Sequence, residues 1–186
     1  HGLALLNLAI WHSNNGEQMM AMAVHSDISV RSGHPTDIRS LSRLEIGRIL
    51  VGMSDLDPAM RHLWSARRGF IESGMATEAL VSSLEWLDIA LDEVSEDSPN
   101  MEKRIESAAP REGPGNTWVP ANTSDVIDVV EYLLPVLMAD LSGLSRGDLG
   151  LIVDASEIVG KPEWKSEMKS RISEIQDESV TEALQS

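Results

Sequence analysis

The chain lacks cysteine, is poor in phenylalanine and tyrosine, and has no long apolar run. Without cysteine, disulfide bonds, thiolate catalysis and cysteine-bound metals are excluded. One Tyr and one Phe stand beside five Trp and nine Met, so aliphatic side chains and Met must fill most of the core. The longest apolar segment, 126–141, is interrupted by acids and Pro135 and falls short of the ~18–20 residues of a membrane span. We therefore predict no transmembrane segment.

Lysine and positive charge are also scarce. The 186 residues carry 15 basic and 30 acidic side chains, for a net charge of −15. A surface of that sign disfavours nonspecific binding to nucleic acid or anionic lipid and favours basic partners. The apolar fraction of 42% is typical of a globular protein. Composition leaves the cellular location open, with a slight preference for a soluble intracellular protein.

The positive charges that exist are unevenly distributed. Seven of the eleven arginines fall within 31–68, where only four acids accompany them, so this window has a balance of +3. Residues 1–30 carry −2 and residues 69–186 carry −16. Such a window either pairs with acids of the same chain or binds an acidic partner.

Apolar spacing predicts an all-α fold, a bundle of about five helices followed by a smaller segment of about three. A polar loop is expected over 26–36, and Ser54 is expected to cap the helix that starts near residue 57. Over 80–94, apolar residues recur at 4-3-4-3 spacing, which over two heptads indicates a bundle helix more than a coiled coil. Ser145 and Asp148 have the spacing of a capping box.

Glycine, proline and polar residues concentrate between the two helical sets. We predict an N-terminal helical bundle over 1–109, a linker or long loop over 110–122, and a C-terminal helical subdomain over 123–186.

Four arginines of the basic window form the candidate anion or nucleic-acid site. Arg39 and Arg43 are one turn apart and share a helix face, and Arg61 and Arg68 line one side of the next helix. Guanidinium groups match phosphate geometry. The competing interpretation is that acids of the 77–97 helix neutralise these arginines. Arg48 is expected to point elsewhere.

Other residues suggest contacts more than chemistry. Trp64, Trp86 and Trp164 lie within predicted helices and are candidate partner-interface anchors as well as core residues. No histidine or carboxylate spacing matches a metal site, and no nucleotide-binding or nucleophile motif is present. We therefore assign no catalytic residue, no metal and no cofactor.

The sequence favours a non-enzymatic protein–protein interaction or assembly module, with another protein or a second copy as partner. One alternative is a structural protein that binds nucleic acid or an anionic surface through the arginines of 31–68, as a viral or nucleoid component does. A second alternative is a helical enzyme whose metal or carboxylate site is not visible in the spacing.

Overall fold

The computed structural model describes residues 1–30, 33–108, 118–139 and 145–171, and it is all-α, as predicted. These residues include nine helices and two very short strands. In chain order they are α1 (Gly2–Asn14), α2 (Gln18–Val30), α3 (Thr36–Gly52), α4 (Leu56–Glu72), α5 (Ala76–Ala90), β1 (Val94–Ser95), α6 (Met101–Ser107), β2 (Ala121–Asn122), α7 (Thr123–Ala139), α8 (Arg146–Ile158) and α9 (Pro162–Ser170).

Contacts divide the chain into two compact units. One comprises His1–Trp86 with Arg104–Val119, and the other comprises Leu87–Lys103 with Pro120–Ser186. The predicted boundaries at 109 and 123 stay a prediction, because most of the predicted linker lies outside the described residues. The first part of the loop predicted over 26–36 is wrong, since α2 continues to Val30.

Within the first unit, α1 packs on α2, α2 on α3, and α3 on α4. Two glycines bring α3 and α4 close together. A Cβ built at Gly47 would lie 2.8 Å from Leu63 Cδ2, and one built at Gly69 would lie 2.0 Å from Ser40 Oγ. At either position an added Cβ would overlap a side chain of the facing helix unless that side chain moved, so the two helices form a closely packed hairpin.

Four helices are followed by a residue in the same left-handed backbone conformation. Two residues after α1, α4 and α8, a glycine has a positive φ, whereas after α3 this position is Ser54 with φ 59°. The predicted Ser54 cap is wrong: the N-cap residue of α4 is Asp55, and no side chain caps it. Ser54 instead terminates α3, in the left-handed conformation that favours glycine.

The second unit combines an apolar helical core with several local polar contacts. β1 and β2 pair in parallel, with Val94 opposite Ala121. Asp125, itself buried, accepts a hydrogen bond from the Met101 amide at the start of α6 (2.8 Å). The predicted capping box of α8 is confirmed, with the Asp148 amide donating to Ser145 Oγ at 3.1 Å. Among the described residues, no helix combines the length and apolar character needed to cross a membrane.

Candidate functional site

Two of the predicted arginines lie one turn apart on α3. Arg39 and Arg43 are both half-buried, and within the described residues neither forms an ion pair with an acid. Burial is the main cause that lowers the pKa of Arg43, and the charge of Arg39 adds to it. The two guanidinium groups therefore face a common environment in which their charges repel.

The other two predicted arginines lie two turns apart on α4. Arg61 Nε donates to Asp57 Oδ2 at 3.2 Å, and its side chain is only 13% exposed. Arg68 is exposed on the solvent side of the same helix. Asp57 also accepts a hydrogen bond from Arg104 of α6. One carboxylate thus serves two arginines.

His62 connects the arginines of the two helices electrostatically. Its pKa is lowered from 6.5 to about 4, first by burial and then by the charges of Arg61 and Arg43. Arg43 of α3 and Arg61 of α4 therefore act on the same imidazole. We call Arg39, Arg43, Arg61 and His62 the arginine cluster. It brings together three of the four predicted arginines, and His62 is an addition that sequence reasoning missed.

One arginine of the basic window does pair with an acid of α5. It is Arg48, which was expected to point away from the candidate site. Arg48 donates to Glu85 through Nε (3.1 Å) and Nη2 (2.6 Å), and to Glu45 through Nη1 (2.6 Å). Arg67 of α4 also contacts α5: its side chain is 4% exposed and donates to Ser83 Oγ at 3.1 Å. Neutralisation by α5 thus applies to Arg48, which is outside the arginine cluster.

The tryptophans predicted as partner anchors lie in the core. Trp64, Trp86 and Trp164 are at most 5% exposed. The rings of Trp64 and Trp86 are 5.0 Å apart, and the Arg67 guanidinium lies 5.1 Å from the Trp64 ring centroid. Such burial matches the role of core anchors. The exposed tryptophan is Trp11, at 56%.

Trp11 belongs to an apolar surface on α1 and α2. Between His1 and Ser26, Glu17 is the one residue with a formal charge at neutral pH, and it hydrogen-bonds His12 at 2.5 Å. Large apolar side chains of both helices are nonetheless 43–67% exposed. We call these residues the α1–α2 outer face: Leu3, Leu8, Ile10, Trp11, Met19 and Met20.

The outer face continues at the turn between α1 and α2, where it meets a groove. Trp11 precedes the turn by one helical turn, and Met19 and Met20 follow it directly. At the same end of the hairpin, a groove of about 400 Å³ is lined by Ser13, Gln18, residues of the last two turns of α3 and the exposed Met53 that follows α3. An uncharged apolar surface next to a groove is typical of an interaction site.

Carboxylates gather on the second unit without forming a metal site. A groove of about 300 Å³ is lined by Asp88, Asp92, Asp154 and Glu157 together with apolar side chains. Within the described ranges, no three His, Asp or Glu side chains converge closely enough to hold a metal ion. The described residues therefore provide no support for the alternative of a helical enzyme with a metal site.

Sequence reasoning missed the outer face, although Glu17 is the one charged residue in the first 26. Short apolar helices are normally part of a core, and only the exposure of their side chains in the structure identifies a surface.

Compared with protein-family models, curated proteins and solved structures, the chain matches none of them.

Proposed function

We propose that the chain is a non-enzymatic assembly module that binds a second copy of itself through the α1–α2 outer face. The observation that carries the proposal is the exposure of α1. This helix is apolar on its buried side, with Leu6 and Ala9, and also on its solvent side, with Leu8 and Trp11. A helix that is hydrophobic all round is normally covered on all sides.

Charge argues for a second copy as the partner. With −15 on each molecule, most surfaces of two copies repel one another. The outer face is uncharged, so two outer faces can meet without that repulsion and without needing complementary charges. Two-fold contacts between identical surfaces are also the commonest form of assembly. A basic partner, by contrast, would bind the acidic surfaces elsewhere on the chain.

The expected affinity is moderate. Covering six partly exposed apolar side chains on each copy yields on the order of 10 kcal/mol, since full burial of one contributes about 1.5–3 kcal/mol. Association costs a similar amount, roughly 4–15 kcal/mol. We therefore expect a reversible dimer and not an obligate one.

Sedimentation equilibrium tests the proposal over a range of about 1 to 100 µM, which brackets micromolar affinity. The wild type should pass from monomer to dimer, and Trp11→Glu combined with Met19→Glu should remain monomeric because it would bury charge in the contact. Ile71→Glu is the matched control: Ile71 is 42% exposed on α4, so its variant should dimerise like the wild type.

Two results would overturn the proposal. One is a wild type that stays monomeric at the highest concentration. The other is dimerisation that persists unchanged in the double variant. Neutral lipid vesicles serve as a further arm, because an outer face that binds vesicles while the protein stays monomeric would be a membrane-contact surface.

A further inference from the structure

We propose that the arginine cluster binds a single phosphate-type oxyanion, as inorganic phosphate or as the phosphate of a small ligand. Arg39 and Arg43 provide the binding groups, and Arg61 of α4 acts with Arg43 on the same His62. None of these residues belongs to the α1–α2 outer face, so this site is independent of the proposed dimer contact.

The first support is the state of the two α3 arginines. The chain has twice as many acids as bases, yet no acid of the described residues pairs with Arg39 or Arg43. Arg39 Nε is buried and has no hydrogen-bond partner there. A buried donor without a partner is unfavourable, and a bound anion would supply the missing hydrogen bond.

The second support is the rigidity of the scaffold. Arg39 and Arg43 lie on the helix that Gly47 and Gly69 hold tightly against α4. Guanidinium groups presented from packed helices lose little freedom on binding, and their planar forks match the oxygens of phosphate. The position of Arg61 is set by Asp57, which holds its Nε.

The third support comes from His62. Its pKa of about 4 keeps the imidazole neutral at pH 7, and the charges of Arg43 and Arg61 contribute to that shift. A neutral imidazole has one N–H donor to offer an anion. A bound anion would offset the two positive charges and raise the pKa of His62, which provides a spectroscopic readout separate from binding itself.

The charge of the whole chain favours one small anion over a polyanion. At −15, long-range repulsion opposes an approaching nucleic acid, whereas a single phosphate carries little charge to repel. The nucleic-acid alternative is therefore the other outcome of the test.

Phosphate titration at pH 5, close enough to the His62 pKa of about 4 for a rise in that pKa to change its protonation, tests the site by NMR. The Nε–Hε signals of Arg39 and Arg43 should move saturably with inorganic phosphate, and the His62 ring signals should shift towards the protonated form. Sodium chloride at equal ionic strength should cause neither change. Arg43→Gln should weaken phosphate binding about tenfold or more, since a charged hydrogen bond contributes about 1.5–3 kcal/mol.

Arg48→Gln is the matched control, because Arg48 lies on the same helix but is held by Glu45 and Glu85. It should bind phosphate like the wild type. Arg39→Gln provides a second variant in case Arg43→Gln does not fold. Shifts that chloride reproduces would overturn the proposal. A single-stranded RNA that binds through Arg43 when phosphate does not would also overturn it, in favour of a polyanion surface.

Discussion

Asp57 on α4 accepts a hydrogen bond from Nη2 of Arg104 on α6, a residue 47 positions further along the chain. The Arg104 side chain is 5% exposed, and its Nε and Nη1 have no hydrogen-bond partner among the described residues. The Asp57 carboxylate is therefore the main group that compensates the positive charge of the buried Arg104. It also holds Arg61, at the edge of the arginine cluster.

Replacing Asp57 should destabilise the fold strongly. We expect Asp57→Asn to lower the free energy of unfolding by about 3 kcal/mol, since it leaves the buried Arg104 charge uncompensated. Urea denaturation at pH 7 measures the loss. Asp55→Asn is the control and should change stability little, because the Asp55 side chain makes no capping hydrogen bond. Equal stability of both variants would contradict the role assigned to Asp57.

How far the sequence predicted this structure depends on the range of each interaction. The helices and the Ser145–Asp148 capping box followed from spacings of a few residues, and both are confirmed. The contact between Asp57 and Arg104 joins residues far apart in the chain, and no local pattern encodes it. Pairing with acids of the 77–97 helix was expected, but not that Arg48 would be the arginine that meets Glu85, since helix periodicity gives the direction of a side chain only relative to its own helix.

In the candidate site too, local spacing was predictable from the sequence and contacts between helices were not. Periodicity correctly placed Arg39 and Arg43 on one helix face, but the contribution of His62 depends on how α3 packs against α4. The three predicted tryptophan anchors are core residues, while Trp11 is exposed. Sequence hydrophobicity cannot separate these cases, because it reports what a side chain prefers and not whether the fold covers it.

Ser54 offers a test of the helix-end pattern. Ser54→Gly should raise the free energy of unfolding by about 1 kcal/mol, since a left-handed conformation costs a residue with a Cβ about that much. Gly74→Ser makes the reverse change at the equivalent position after α4, where φ is 71°, and should cost about the same. Thermal or urea unfolding measures both. A Ser54→Gly variant no more stable than the wild type would show that Ser54 makes compensating contacts.

Gly69 tests the close contact of α3 with α4. Gly69→Ala should lower the free energy of unfolding by about 1–3 kcal/mol, because the added methyl group would overlap Ser40 Oγ. Removing that oxygen with Ser40→Ala should restore part of the loss. Gly150→Ala in α8 is the matched control: nothing lies within 4 Å of the added Cβ, so the helix should be unchanged or more stable. Additive losses in the Ser40 and Gly69 double variant would contradict the predicted overlap.

His62 should make the protein acid-sensitive in a defined range. Its pKa is about 4 in the folded chain, against 6.5 for an ordinary histidine. As pH falls below 6.5, the unfolded chain takes up the proton first, so the stability present at pH 7 is lost progressively down to about pH 4 and then levels off. The difference between the two pKa values corresponds to about 3 kcal/mol. His25 acts in the same direction, because burial lowers its pKa as well and the charge of Glu45 only partly opposes this.

Urea denaturation of the wild type and of His62→Gln at pH 7 and pH 4.5 isolates this contribution. Carboxylate titration affects both proteins, so the difference between them reports His62. The variant should lose about 2–3 kcal/mol less than the wild type over this interval. Arg43→Gln should reduce the effect by a smaller amount, since burial is the larger cause of the shift and Arg43 contributes only charge repulsion. Equal losses in the wild type and His62→Gln would mean that His62 titrates at its ordinary pKa and that the two arginines do not act on it.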